Sequence, residues 1–348
     1  MPYTTNEFET IFKNLQRDYL IYAPVIKKKG GRFSDVDLVT YDYAATFSDI
    51  IFDQKTYFSP KDALFPVREK MYLSRNGRIE PVAVDLKPVI LFLRSCDIHA
   101  LKVMDTMFLE NGNYQDPFYK RRRDNVKIFL MECSSETTEH EAFNTCYCVS
   151  MKTNETNDYS VFIQKKGEGV SVKVQDPALE SRFPKHEAHT AEPEFRQTDP
   201  IAVTIPEQID DSLFKHSLWD EYSARCIACG RCNTSCPTCS CFSVQSISDT
   251  VDSSIIHRTR VWSSCQVKDF SRLAGDHNFR ESIGERMRYK VLHKISDFKK
   301  RNGFHMCVGC GRCDDVCPEY ISMSKSINKI NEAMSDLEKS PTSEKVSV

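Results

Sequence analysis

The feature that most constrains this chain is a cysteine spacing that occurs twice: Cys226-x2-Cys229-x2-Cys232-x3-Cys236-Pro237 and Cys307-x2-Cys310-x2-Cys313-x3-Cys317-Pro318. Four soft thiolates placed this way and closed by proline have the ligand spacing of a [4Fe–4S] cluster. Three close thiolates follow a tight loop around one face of a cube, and the fourth arrives from a separate segment. Where two such runs share a chain, the fourth cysteine of each ligates the other cluster. The spacing therefore predicts Cys226, Cys229, Cys232 and Cys317 around one cluster, and Cys307, Cys310, Cys313 and Cys236 around the other. Both runs carry Gly-Arg before their third cysteine, as Gly230-Arg231 and Gly311-Arg312. Glycine lets the backbone approach inorganic sulfur closely, and amide hydrogen bonds to sulfur tune the potential.

The competing reading of paired C-x2-C units is structural zinc in an interaction module. Zinc needs only four ligands, however, and each run already holds four before its proline. Neither run continues into the histidine of a haem attachment site. No apolar leader stands near Met1, so the expected location is the reducing cytoplasm, where disulfides do not persist. The formal net charge of −2 gives no electrostatic case for nucleic acid or an anionic membrane. No apolar run approaches the roughly 20 residues that cross a bilayer. There is no G-x-G-x-x-G, P-loop, G-x-S-x-G or H-E-x-x-H. Clusters without a visible substrate site describe an electron carrier with no catalytic residue of its own.

The expected fold class is α+β: an N-terminal mixed α/β domain over residues 1–184, with a mostly helical two-cluster domain over 211–333. Thr4-x-x-Glu7 has the form of a capping box, and Phe8, Ile11, Phe12, Leu15 and Tyr19 follow at helical spacing. The apolar runs 88–93 and 126–131 suit strands buried on both faces, with a helix over 100–108 between them. Alternation at 159–163 and 170–174 predicts a hairpin. Residues 185–210, rich in Pro, Glu, Thr and His, are expected to be a linker, and 334–348 a polar, disordered tail. The two runs begin 81 residues apart, and the insert between them carries Phe279, Ile283, Met287, Val291, Ile295 and Phe298 at helical spacing. Lys299, Lys300 and Arg301 suit the end of that helix and Gly303 its C-cap, so the second run is expected to start at a helix.

Of 15 cysteines, seven lie outside the ligand sets. Cys96 and Cys133 follow the two buried strands, and Cys146-x-Cys148 sits in the next loop. Sites in open α/β sheets favour the carboxyl ends of strands, so these four thiols either converge on a third [4Fe–4S] cluster or serve as small buried hydrophobes. Cys239, Cys241 and Cys265 are expected to line a cluster pocket without ligating. Arg94 and Asp97 flank Cys96, to tune a cluster or to form a local ion pair. The run Arg121–Arg123 reads as a solvated face or a docking patch. His257 and Trp262 are expected in the core, with packing over a cluster as the alternative.

The chain resembles the A subunit of anaerobic, NADH-dependent sulfite reductase, and is similar to the iron–sulfur beta subunits of cytoplasmic sulfhydrogenases. The resemblance covers most of the chain. It rests on Leu93-Arg94-Ser95-Cys96-Asp97, Asp116-Pro117-Phe118-Tyr119 with Arg121-Arg122, Cys146-Tyr147-Cys148, both cysteine runs, Cys236-Pro237-Thr238-Cys239-Ser240-Cys241-Phe242, and Arg260-Val261-Trp262-Ser263-Ser264-Cys265. Ser95 stands where the family often has proline, which leaves the neighbouring thiol in place. The resemblance implies an electron-transfer subunit with two [4Fe–4S] clusters, and favours a third. Its implied partners are a flavoprotein (FAD/NADH) subunit and a sirohaem subunit that reduces sulfite to sulfide. The alternatives are the same relay within a sulfhydrogenase or hydrogenase, and sirohaem carried on this chain itself. For sirohaem, the Cys226/Cys232 and Cys313/Cys317 spacings are by-products of the two runs.

Overall fold

A computed structural model describes residues 1–339 except 32, 34, 83–85 and 135–140. The expected tail lies outside the described residues from 340 onward.

Two apolar runs form the centre of the larger sheet. Strands β6 (Val89–Leu93) and β7 (Val126–Met131) pair in parallel. Their side chains alternate between two cores, as a period of two requires. Ile90, Phe92, Phe129 and Met131 pack with Phe8, Ile11, Phe12 and Leu15 of α1 (Thr5–Gln16). Leu91, Leu93, Ile128 and Leu130 pack with Ile98, Leu101 and Met104 of α2 (Ser95–Asp105). Both faces are covered, which is why these strands read as unbroken hydrophobic runs. The capping box that starts α1 is present: Thr4 Oγ1 accepts from Glu7 N–H and the Glu7 carboxylate accepts from Thr4 N–H.

The sheet has seven strands. Around β6 and β7 lie β1 (Tyr3–Thr4), β2 (Leu20–Lys27), β3 (Leu38–Tyr43), β8 (Val161–Lys166) and β9 (Gly169–Val174). The order is β1-β9-β8-β7-β6-β2-β3, with β2, β6, β7 and β8 parallel and the edges antiparallel. The expected hairpin is β8–β9.

The expectation of a mostly helical C-terminal half needs a correction. The insert between the cysteine runs contains a hairpin, β10 (Phe242–Ser248) and β11 (Ile255–Trp262). It joins β4 (Arg68–Arg75) and β5 (Arg78–Pro81) in a four-stranded sheet ordered β10-β11-β4-β5. Ile255-Ile256-His257-Arg258-Thr259-Arg260-Val261-Trp262 is rich in β-branched and aromatic residues, and the free edge of β4 supplies a partner that a helical reading ignores. A buried ion network fixes the pairing. Arg260, 1% exposed, reaches Glu69 Oε2 at 2.5 Å and Asp116 Oδ2 at 2.6 Å, while Arg122 also pairs with Glu69. Asp116 in turn caps α3 (Pro117–Arg123) through Phe118 and Tyr119 N–H.

The rest of this half is helical: α4 (Asp220–Arg225), α5 (Arg231–Thr234), α6 (Ile283–Leu292), α7 (Phe298–Asn302), α8 (Arg312–Asp315) and α9 (Met323–Lys339). A π turn, His293–Asp297, joins α6 to α7, and Gly303 ends the helix at φ 83°. Ser282 and Glu285 form the capping box of α6, so Phe279 falls outside the helix and is exposed. The 185–210 stretch runs as a strap over both halves. Arg196 N–H donates to Cys133 O, Asp199 accepts from Val149 and Ser150 N–H, and Asn328 donates to Ala202 O.

Removing Arg260 leaves Asp116 without its cation and Glu69 with Arg122 alone. The Arg260→Ala variant should lose about 3–5 kcal/mol, the cost of breaking a buried pair on one side. Thermal unfolding followed by circular dichroism should show a clear drop in Tm, whereas Arg75→Ala on the exposed end of β4 should leave Tm nearly unchanged.

Candidate metal centres

The cysteines gather around three cavities that share walls. The first is lined by Cys226, Cys229, Cys232 and Cys317, the second by Cys236, Cys307, Cys310 and Cys313. The fourth cysteine of each run thus crosses to the other run's cavity. Cys232 and Lys290 line both cavities. The third is lined by Cys96, Cys133, Cys146 and Cys148, together with Cys310 from the second run. It lies beyond the carboxyl ends of β6 and β7: Cys96 is in the first turn of α2, and Cys133 follows β7 by two residues. With the shared Cys232 assigned to the first cavity and the shared Cys310 to the second, each cavity keeps four thiols, a donor set of the number and softness that a [4Fe–4S] cluster takes.

The second run is keyed to the large sheet by backbone contacts. Tyr147 N–H donates to Gly309 O at 2.8 Å, and Thr153 Oγ1 donates to Val308 O at 2.7 Å. Gly309 (φ 66°) and Gly311 (φ 70°) are left-handed, and a Cβ there would lie 2.5 Å from Tyr147 O and 2.3 Å from Thr145 O. These glycines therefore serve the contact with the 145–148 loop, beyond any approach to inorganic sulfur. In the first run, Ala228 takes the left-handed place of Gly309 at φ 55°, and its N–H points at Cys226 Sγ, 3.4 Å away.

Asp97 does not pair with Arg94. It receives Arg312 in a two-pronged contact, at 2.6 and 3.0 Å, with both residues almost wholly buried. Arg94 instead donates to the carbonyls of Glu132 and Phe52 and covers the Phe143 ring. The Arg121–Arg123 run is neither a free face nor a patch: Arg122 pairs with Glu69, Arg123 with Asp105, and Arg121 lies against Phe118. His257 pairs with Asp249 across the β10–β11 hairpin. Trp262 donates to Phe65 O and stacks on its ring.

Buried ammonium groups are the part of the site that the spacing of cysteines did not announce. Lys294 Nζ lies 3.4 Å from Cys236 Sγ and 2.9 Å from Thr238 Oγ1. Burial opposes its charge, but Cys236 and Cys239 hold its pKa well above the usual lysine range. Lys290, also buried, is likewise raised, by Cys232 and Cys313. Lys61 donates to Asn233 O and Cys239 O and sits 4.2 Å from the Trp262 ring centroid. Burial lowers its pKa, with Cys239 and Cys236 working against that. At the third cavity, Lys55 pairs with Asp315 at 2.7 Å and reaches Thr145 Oγ1 at 2.6 Å. Lys290 and Lys294 did carry a signal, because both fall on the apolar stripe of α6 and its continuation beside Met287, Val291 and Ile295.

Cys239, Cys241 and Cys265 line none of the three cavities. Cys239 donates to Cys236, which is held low by that bond and by Lys294. Cys265 is lowered to about 5 by hydrogen bonds from Cys241, Gln266 and Asn233. Tyr147 brings its hydroxyl to 3.2 Å from Cys307 Sγ.

The 4Fe-4S dicluster domain family matches residues 225–321, the stretch that contains both runs. This chain therefore carries a two-[4Fe–4S] domain. Sulfhydrogenase 2 subunit beta of Pyrococcus furiosus is 29% identical over 350 residues, covering 94% of this chain and 97% of that protein. No solved structure matches. Among the described residues, no helix is long and apolar enough to cross a membrane.

A cation in the lining favours the more negative, reduced state of a cluster. Replacing Lys294 by Met should therefore lower the potential of the neighbouring cluster by on the order of 100 mV, for one charge several ångströms away at an effective dielectric near 20. Anaerobic redox titration followed by electron paramagnetic resonance would measure this, with exposed Lys300→Met expected to shift nothing.

Proposed function

We propose that this chain is an iron–sulfur relay subunit of a multisubunit oxidoreductase, passing single electrons between partner subunits. The observation that carries this reading is the row of three cysteine cavities. Cys232 stands between the first and second, and Cys310 between the second and third. When bound, each cluster supplies a one-electron carrier. The chain's own residues fix the rest. Cys226, Cys229, Cys232 and Cys317 would hold one cluster, and Cys236, Cys307, Cys310 and Cys313 the second. Tyr147 O–H and Cys239 S–H donate toward ligand sulfurs, and Lys290 and Lys294 balance charge. Cys96, Cys133, Cys146 and Cys148 would hold a third, supported by their convergence on one cavity beside Lys55, Arg94 and Arg312.

The relative across nearly the whole chain is a sulfhydrogenase beta subunit, which favours a relay inside a hydrogenase-type complex. The sulfite reductase reading, with flavoprotein and sirohaem partners, is second and rests on the motifs of the sequence. Isolation of the native complex separates them: nickel and hydrogen-dependent dye reduction favour the first, and a sirohaem band with sulfite-dependent oxidation of NADH the second. An isolated chain with a tetrapyrrole band, or with zinc in place of iron and sulfide, would sink the relay itself.

Iron and sulfide counts on the anaerobically prepared chain should give about twelve irons for three clusters and about eight for two. Cys146→Ser should then lose about four, one cluster's worth, while both clusters of the 225–321 domain remain. In the assembled complex, Cys310→Ser should abolish electron flow from the physiological donor. An artificial donor acting directly on the catalytic subunit should still support turnover.

A further inference from the structure

One further cavity, of about 330 Å³, opens between α2, the 150–153 turn and the end of α7. Its lining includes Lys102, Lys152 and Lys299 with His99 and His305, and contains no carboxylate. None of the three lysines takes an acidic partner among the described ion pairs. Lys102 Nζ instead rests 4.8 Å from the Phe304 ring centroid. His99 Nε2 is engaged with Glu155 O at 2.8 Å, while His305 Nδ1 is buried without a hydrogen-bond partner.

The floor is apolar, formed by Val103, Met151 and Val308, and Phe304 stands at the side. Val308 also lines the second cysteine cavity, where it follows Cys307 directly. Val308 is therefore common to the walls of this cavity and of the second cysteine cavity. The volume is that of a small-molecule site. A basic rim over an apolar floor suits a flat body that carries anionic groups.

We propose that this cavity binds a small dianionic redox molecule, holding its charged groups at Lys102, Lys152 and Lys299 and its planar body against Val308 and Phe304. Electrons would then cross the Val308 wall. With a quinone as the molecule, two reduced clusters each give up one electron, and the quinone takes both electrons with two protons to become the hydroquinone. The electron-crossing part rests on the assignment of Cys236, Cys307, Cys310 and Cys313 to one cluster, whereas the binding part does not.

The test uses the full chain with its clusters assembled anaerobically, and two probes: the dianion anthraquinone-2,6-disulfonate and the dication methyl viologen. Equilibrium dialysis should show the dianion binding at one site, with affinity that falls as salt rises. The triple variant Lys102→Glu, Lys152→Glu, Lys299→Glu should weaken binding at least about tenfold, as three reversed surface charges allow. Stopped-flow reoxidation of the reduced clusters should slow similarly with the dianion and not with methyl viologen. Should the reversed variant lose its clusters, Lys102→Gln, Lys152→Gln, Lys299→Gln is measured instead, with a smaller change of the same sign. No binding by the unmodified chain, or equal binding by the variants, overturns the site. Weakened binding with unchanged reoxidation overturns the crossing at Val308.

Discussion

The contact on which the rest depends is the buried pair of Asp97 and Arg312. Asp97 stands in the first turn of α2, at the carboxyl end of β6, and Arg312 belongs to the second cysteine run. Taking both ions out of water costs several kcal/mol each, so the pair persists only because its geometry is complete. The planar guanidinium meets both carboxylate oxygens, and its Nε and Nη2 also donate to Thr56. Tyr41 O–H adds a further bond to Asp97. This clamp seats the second run on the large sheet, with Gly309 and Gly311 pressed against the 145–148 loop. Only in that seating can Cys310 belong to the walls of two cavities at once.

A second constraint follows from charge. A buried ammonium without a carboxylate is costly, yet Lys290 and Lys294 are both buried and face sulfur. Thiolates gathered without cations would repel one another, and the lysines without thiolates would shed their protons. Each set makes the other tolerable, which couples folding of α6 to occupation of the sites, since thiolate ligands bind metal only when deprotonated. It also explains the length of the insert between the runs. The insert delivers α6 between the two cavities, and its hairpin anchors the delivery to β4 through Arg260.

Much of this was legible before any coordinates. The strands 88–93 and 126–131 and the capping box at Thr4 are local patterns, and the structure reproduces each. The convergence of Cys96, Cys133, Cys146 and Cys148 was reachable because strand ends in a parallel sheet lie together. The hairpin of 242–262 was not, because its partner strand lies 180 to 193 residues earlier in the chain. Nor was the partner of Asp97. Arg94 is near it in sequence, but the side chain it needs comes 215 residues later. Long-range pairing leaves no local periodicity. The lysines of α6 are intermediate, since a charge on an apolar stripe announces that it is buried without saying against what.

The shared walls bear on how such a chain conducts. Because neighbouring cavities have cysteines in common, their spacing is set by the backbone of two short runs and one loop, and no domain movement is needed to bring them together. What can then differ between them is the charge around each. At the third cavity, Arg312 is neutralised by Asp97 and Lys55 by Asp315, while Arg94 and Arg196 also line it and take no carboxylate in the described ion pairs. Lys290, at the wall between the first and second, and Lys294, in the wall of the second, face chiefly sulfur and take no salt bridge in the described ion pairs. An unneutralised cation stabilises an added electron more than an ion pair does. The unneutralised charge along the row therefore comes from Lys290 on α6 and Lys294 in the turn that follows it, and from Arg94 and Arg196 at the third cavity.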